Sequence, residues 1–330
     1  MKNRTKWFEK SRWGVMTHFL AAPPSTSLGG DISPDEWNRI VDSFNVEAFC
    51  GQIAETGAGY LIFTLGQNSG HFCSPNSTYD SLTGISPSKC SRRDLVADVA
   101  EAMAKRGISL IAYCPSHAPA AEMQAVESLK CTPPWDLRGS WGGMKGYKIS
   151  PDIDDRLTVF QQHWEKIVSE WGDRWKDLIK GWWIDGCYFA DKMYRHDDEP
   201  NFASFAKALR TGCPDRIVAF NDGHSYCGAA VCSMTDEEDF TAGELFTALP
   251  AASPDKSLKA FYHTLCPLGL TWNNPVPRFP DSLPAAYTQL VNSWGGVMTW
   301  DVAISQTGTI QPEIRKQLLK MKTQLARCDV

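Results

Sequence analysis

Apolar and polar positions along the chain fall into a repeating order. A short, nearly unbroken apolar run is followed by a polar turn, and then by a segment whose apolar residues recur three and four apart. The runs are RWGVMTHFL (12–20), YLIFTLG (60–66), ISLIAYC (108–114), IKGWWIDG (179–186), RIVAFND (216–222) and VMTWDVA (297–303). Runs of this length are what a strand buried on both faces requires. Between them lie helical patterns. In NVEAFCGQIAETGAG (45–59), Val46, Phe49, Cys50 and Ile53 share one face and Asn45 is placed to cap it. In SRRDLVADVAEAMAKRG (91–107), Leu95, Val99 and Met103 form an apolar stripe. Ser91 and Asp94 there have capping-box spacing with Asp in place of Glu, and Gly107 supplies the stop. Residues 154–175, 201–212, 283–296 and 311–325 also read as helices.

Strands alternating with helices from end to end predict a parallel α/β fold. Six to eight such units fit in 330 residues. That length suits a single catalytic domain, 1–330, built as a (β/α)8 TIM-like barrel with irregular or missing helices. A doubly wound sheet is the alternative. Its commonest nucleotide-binding forms lose support, because no G-x-G-x-x-G follows the first strand and no G-x-x-x-x-G-K-[ST] occurs anywhere. Polar residues gather at the downstream ends of the runs: His18, Gln67 and Asn68, Tyr113 and His117, Asp185, Asn221 and Asp222, and Asp301. In a barrel those ends form the active-site face.

Composition narrows the function classes. The net charge is −5 and no Lys/Arg run exists, which argues against a nucleic-acid partner. No apolar run approaches the roughly 20 residues that span a bilayer, so no membrane partner is expected. The first residues lack the apolar core of a signal peptide. The chain as it stands reads as cytoplasmic, or as secreted or periplasmic if a leader precedes it. Eleven cysteines contain no C-x-x-C pair, and the closest two, Cys227 and Cys232, have no paired histidine nearby. Neither a zinc site nor a disulfide framework is indicated. RHDDEP (195–200) lacks calcium-loop spacing and reads as solvated. No metal or cofactor is expected. His117, His163 and His196 read as surface or packed residues.

The stretch IKGWWIDGCYF (179–189) sets one carboxylate, Asp185, among large apolar residues. Burying a charge costs several kcal/mol unless it is paired or hydrogen-bonded. By alternation, Gly181, Trp183 and Asp185 share one strand face, and Trp182 and Ile184 the other. Asp185 then either points into the barrel mouth or caps the following loop. Hydrolysing a glycosidic bond needs a second carboxylate. CSMTDEEDFTAGEL (232–245) offers Asp236, Glu237, Glu238, Asp239 and Glu244. The run 236–239 reads as a solvated loop, and spacing does not choose among the five.

Several segments, in order, resemble the α-L-fucosidases of glycoside hydrolase family 29. RWGVMTHF is similar to that family's opening strand, which ends in a sugar-binding His. SPDEWN is similar to its Glu-Trp-Tyr loop, and SRRDLVADVAEAMAKRGISLIAYC to its Arg-Asp, helix, Arg-Gly-Leu and strand. GWWIDG is similar to the strand carrying the nucleophilic Asp. FNDGH and EDFTAGEL are similar to its Asn-Asp-Arg and Asp-Phe-x-Thr-x-Glu segments, and NSWGGVMTWDVAISQTGTI to its closing strand region. The resemblance covers nearly the whole chain, without the C-terminal β-sandwich that the family often adds. It implies a retaining exo-α-glycosidase acting on a fucosylated or related glycan. Asp185 would be the nucleophile and Glu244 the acid/base, with their carboxyl groups roughly 5–5.5 Å apart. Glu244 would need a raised pKa and Asp185 would stay ionised. His18 and Trp37 would contact the sugar and Trp183 would stack beside the nucleophile; Tyr113 and Asn221 at strand ends, and Trp272 near the last strands, are further candidate sugar contacts.

The chain departs from that pattern at the sugar. Gln67-Asn68 stands where the family has a His-His pair that reads fucose's axial hydroxyl, with His71 four residues past Gln67. Gly223 replaces the Arg of Asn-Asp-Arg, with His224 the nearest substitute. A site that hydrogen-bonds a hydroxyl can discriminate by 10⁴ or more. The altered residues therefore imply an altered sugar pocket. Two other readings stay open: a glycosidase of the same fold for another, modified sugar, and a catalytically inactive carbohydrate-binding homologue.

Overall fold

A computed structural model describes residues 3–21, 32–131, 156–188, 190–223 and 231–326. Seven parallel strands form one sheet: β1 (Trp13–Thr17), β2 (Tyr60–Thr64), β3 (Ser109–Pro115), β4 (Ile179–Asp185), β5 (Ile217–Phe220), β6 (His263–Pro267) and β7 (Val297–Asp301). Their order is β5-β4-β3-β2-β1-β7-β6. Every strand lies within an apolar run of the sequence except β6, whose HTLCP carries a histidine, a threonine and a proline and gives no such signal.

The gap between β5 and β6 is filled by 239–245, an irregular eighth stave. Asp239 N–H donates to the Val218 carbonyl at 2.9 Å on the β5 side. On the other side Thr241 N–H donates to Phe261 (3.0 Å) and Leu245 N–H to Leu265 (2.7 Å), and Leu265 N–H returns a bond to Gly243 (2.8 Å). Two isolated parallel bridges, Phe240 with Phe261 and Glu244 with Leu265, mark the same path. Carboxylates complete the pairing where the backbone does not: Asp239 accepts from Val218 N–H and Glu238 from Phe220 N–H. The expectation that 236–239 is a solvated run therefore holds for Asp236, which pairs with Lys259 at the surface, but not for Glu238 and Asp239. Both are buried, because β5 needs their oxygens. The architecture is a (β/α)8 TIM-like barrel with one stave distorted.

Alternation sorts the side chains into two cores. Met16, Ile62, Ile111, Trp183, Ile217 and Leu265 fill the barrel interior. Val15, Leu61, Phe63, Leu110, Trp182 and Ile184 pack outward under the helices. Trp183 faces inward and its neighbours outward, as the period-two pattern of β4 predicts. The apolar stripe Leu95, Val99 and Met103 is buried in the outer layer. Its helix runs Leu95–Ala104 and is capped by Asp94, which accepts from Ala97 N–H at 3.0 Å. Ser91 takes no part in that cap; its hydroxyl donates to the Arg93 carbonyl. A short N-terminal helix, Lys6–Ser11, is absent from the sequence reading. It drives Phe8 into the interior against Tyr60, Phe240, Phe261 and His263, with ring centroids 4.8–5.9 Å apart. Phe8 thus fills the barrel end opposite the strand C-termini.

Candidate active site

The strand C-termini meet around a pocket whose walls include Asp185, Glu244, His18, Gln67, Asn68, Tyr113, Trp183 and Trp272. Strand pairing sets Asp185 there: it is in register with Pro115 of β3, and its carbonyl accepts from Ser116 N–H at 2.6 Å. The chain then turns at Gly186, with φ +85°; a Cβ at that position would lie 2.6 Å from the His117 ring. Glu244 arrives from the far side on the distorted stave. Gly243, just before it, has φ +63°, and a Cβ there would lie 2.0 Å from the His263 carbonyl oxygen. Only glycine lets the backbone come this close and turn Glu244 toward Asp185.

One amide joins the two acids. Asn221, directly after β5, donates from Nδ2 to Asp185 Oδ1 at 2.8 Å and to Glu244 Oε2 at 2.6 Å. Its Oδ1 accepts from Gly223 N–H at 3.2 Å, which fixes the amide orientation. The two carboxylate oxygens can be no farther apart than these two hydrogen bonds laid end to end. The second Asp185 oxygen accepts from the Tyr113 hydroxyl at 2.5 Å. Gln67 Nε2 in turn donates to that hydroxyl at 2.8 Å. Burial and the Asp185 charge push the Tyr113 pKa well up, so the phenol remains a donor. Trp183 stacks on Tyr113 at 5.4 Å and 16°, and its indole N–H donates to the Ala242 carbonyl. Burial, and then the charge of Asp185, raises the pKa of Glu244 to about 8. One acid is therefore held protonated at neutral pH beside another that receives two hydrogen bonds.

The remaining candidates divide. His18 follows β1, and its Nδ1 lies 2.7 Å from Asp301 Oδ1; its ring is 5.9 Å from Trp272. Asn221, read from the sequence as a sugar contact, sits behind the two acids rather than in the wall. Trp37 and His71 are not in the wall either. Trp37 lies in the helix Pro34–Ser43, whose buried face also holds Asn38 and Val41, and it donates to the Phe72 carbonyl from the core. His71 packs edge-on against Trp37, 2% exposed, because the turn from Gln67 to Gly70 aims Gln67 and Asn68 at the pocket and returns the chain inward. Burial lowers its pKa to about 4. His224 lies outside the described residues. The wall also contains Met16, Pro115, Tyr188 and Leu265, which the sequence gives no reason to place there, and His117, one of the strand-end polar residues. His117 is packed, with Nδ1 on the Ala118 carbonyl, and burial lowers its pKa to about 4.

Among the described residues no group of three or more His, Cys, Asp or Glu side chains is arranged to hold a metal ion. No described helix is long and apolar enough to cross a membrane.

No family model and no curated protein matches the sequence. Solved structures do match the fold. An endo-fucoidan hydrolase of glycoside hydrolase family 107 superposes with a TM-score of 0.66 at 15% identity, covering 96% of this chain and 92% of that one. A second family 107 endo-fucoidan hydrolase gives 0.68 at 16%, covering 97% of this chain but only 53% of its own. An α-L-fucosidase from Lactobacillus casei, in complex with its α-L-fucose product, gives 0.62 at 16%, covering 99% of both chains. At these identities the likeness establishes a shared barrel fold.

Proposed function

We propose that this chain is a retaining glycoside hydrolase for α-linked fucose or a related sugar, with Asp185 as nucleophile and Glu244 as acid/base. The observation that carries the reading is the single Asn221 amide bonded to both carboxylates. One oxygen of each acid on the same donor supports the ~5–5.5 Å separation of a retaining pair over the ~6.5–9.5 Å that an inverting enzyme needs to seat a water. The similar barrels include α-L-fucosidases and endo-fucoidan hydrolases, which supports a fucose-related substrate.

In the first step Asp185 attacks the anomeric carbon while the bond to the leaving oxygen breaks. Glu244 gives that oxygen its proton, and a glycosyl ester forms on Asp185. In the second step the Glu244 carboxylate takes a proton from water, whose oxygen attacks the same carbon and frees Asp185. Tyr113 and Asn221 hold one Asp185 oxygen each, so the nucleophile enters the reaction already oriented. Gln67 and Asn68 in the wall, in place of two histidines, are the residues that would read the sugar's hydroxyls.

A second reading concerns where a polymer is cut. Endo-fucoidan hydrolases among the similar structures favour an endo-acting enzyme, whereas the α-L-fucosidases favour removal of a terminal sugar. A panel of 4-nitrophenyl glycosides plus a fucose-rich polysaccharide separates these. Release from the α-L-fucoside supports the exo reading, and cleavage of the polymer alone supports the endo reading. In either case Asp185→Ala should lower the rate by about 10⁴-fold or more. Sugar binding with no hydrolysis of any substrate contradicts the enzymatic reading.

A further inference from the structure

Asp301 ends β7 at 1% exposure, and both of its oxygens are engaged. Oδ1 meets His18 Nδ1 at 2.7 Å, and Oδ2 accepts from Asn273 N–H at 2.8 Å. Asn273 follows Trp272 and holds a left-handed backbone, φ +52°; its own Oδ1 accepts from Ile304 N–H at 3.0 Å. One buried carboxylate therefore touches two pieces of the pocket wall: the imidazole after β1 and the backbone of the loop that carries Trp272. A carboxylate accepts on both sides and donates on neither. Facing it, Nδ1 of His18 must be the protonated nitrogen, and Nε2 is the one left for a ligand.

We propose that Asp301 is a positioning residue that sets the His18 tautomer and, through its other oxygen, the seat of Trp272. An amide cannot replace it. With its oxygen toward His18, an Asn at this position turns N–H groups against the Asn273 N–H. With its oxygen toward Asn273, it donates to His18 Nδ1 and moves the ring proton to Nε2. Asp301→Asn must therefore either lose the bond to Asn273 or reverse the one to His18, although it is nearly isosteric. The proposal deepens the glycosidase reading and rests on it only for the sugar that His18 and Trp272 meet.

Nitrogen chemical shifts of the His18 ring, with hydrogen exchange at the Asn273 amide, test this in the full chain. The wild type should show a protonated Nδ1 and a protected Asn273 amide. Asp301→Asn should lose one of the two, and affinity for the released sugar should fall about tenfold. The same substitution in a His18→Ala, Trp272→Ala background should add less than threefold. A bare Nδ1 in the wild type overturns the proposal, even if the variant fails to fold. So do both signatures surviving in Asp301→Asn, or losses that multiply independently. Failure to hydrolyse any glycoside would remove the glycosidase reading while leaving the ring-nitrogen result to decide the role of Asp301.

Discussion

Glu244 keeps its proton because burial and a neighbouring charge outweigh an opposing hydrogen bond. Burial and the Asp185 charge, with a smaller push from Asp222, favour the neutral acid, and the Asn221 amide favours the anion. The balance is a pKa raised from 4.5 to about 8. The sign for catalysis follows. Donation to the leaving oxygen needs the protonated form, so kcat/KM should fall as pH rises through about 8. Glu244→Gln should abolish that limb and lower kcat by about 10²–10⁴. It should do least harm on aryl glycosides, whose leaving groups need little protonation. A basic limb that survives in Glu244→Gln assigns the acid elsewhere. Folding carries the same sign, since the raised pKa means stability present below about 4.5 that is lost as pH climbs toward 8. At this scale the sequence was partly readable. Asp185 stood out as a lone acid in an apolar run, whereas Glu244 was one of five carboxylates that spacing could not rank. Asn221 was visible as a strand-end polar residue, but its bridging of two acids depends on strands 36 and 23 residues away in sequence.

The distorted stave is the element on which the site depends. Residues 238–245 meet β5 through two carboxylates and one backbone bond and meet β6 through the backbone, and Gly243 makes the turn that brings Glu244 inward. Gly243→Ala combines a disfavoured φ with a Cβ 2.0 Å from a carbonyl oxygen. It should cost about 2–5 kcal/mol in urea unfolding. Gly51, inside the helix Val46–Thr56, is the contrast, because a Cβ there meets nothing within 4 Å. Gly51→Ala should stabilise by about 0.5–1 kcal/mol. Equal effects at the two positions would show that Gly243 is not under this constraint. Elements with strong periodicity were readable from the sequence: β1 to β5, β7 and the helices around Asn45 and Asp94. The stave and β6 were not. The stave meets β5 through acidic side chains, and β6 carries a histidine, a threonine and a proline, so neither shows the apolar run that marks a strand buried on both faces.

Across the whole molecule, the alternation of strand and helix left few topologies open, and the observed order places every strand C-terminus on one rim. The plug at the other end was hidden. Lys6–Ser11 looks like a charged terminus, and only the folded barrel shows that Phe8 has an aromatic socket to fill. Barrel closure is also what unites the chemistry, since it brings an acid from β4 and an acid from the stave beyond β5 to the same asparagine. That convergence is tested most directly by trapping the reaction half-way. The protein would be incubated with the 2-fluoro glycosyl fluoride of the sugar it releases, digested, and its peptides weighed. The account predicts one fluorosugar per chain, on the peptide containing Asp185, with labelling lost in Asp185→Ala. Turnover without any labelled peptide, and with a product of inverted anomeric configuration, or a label on another residue, would contradict it.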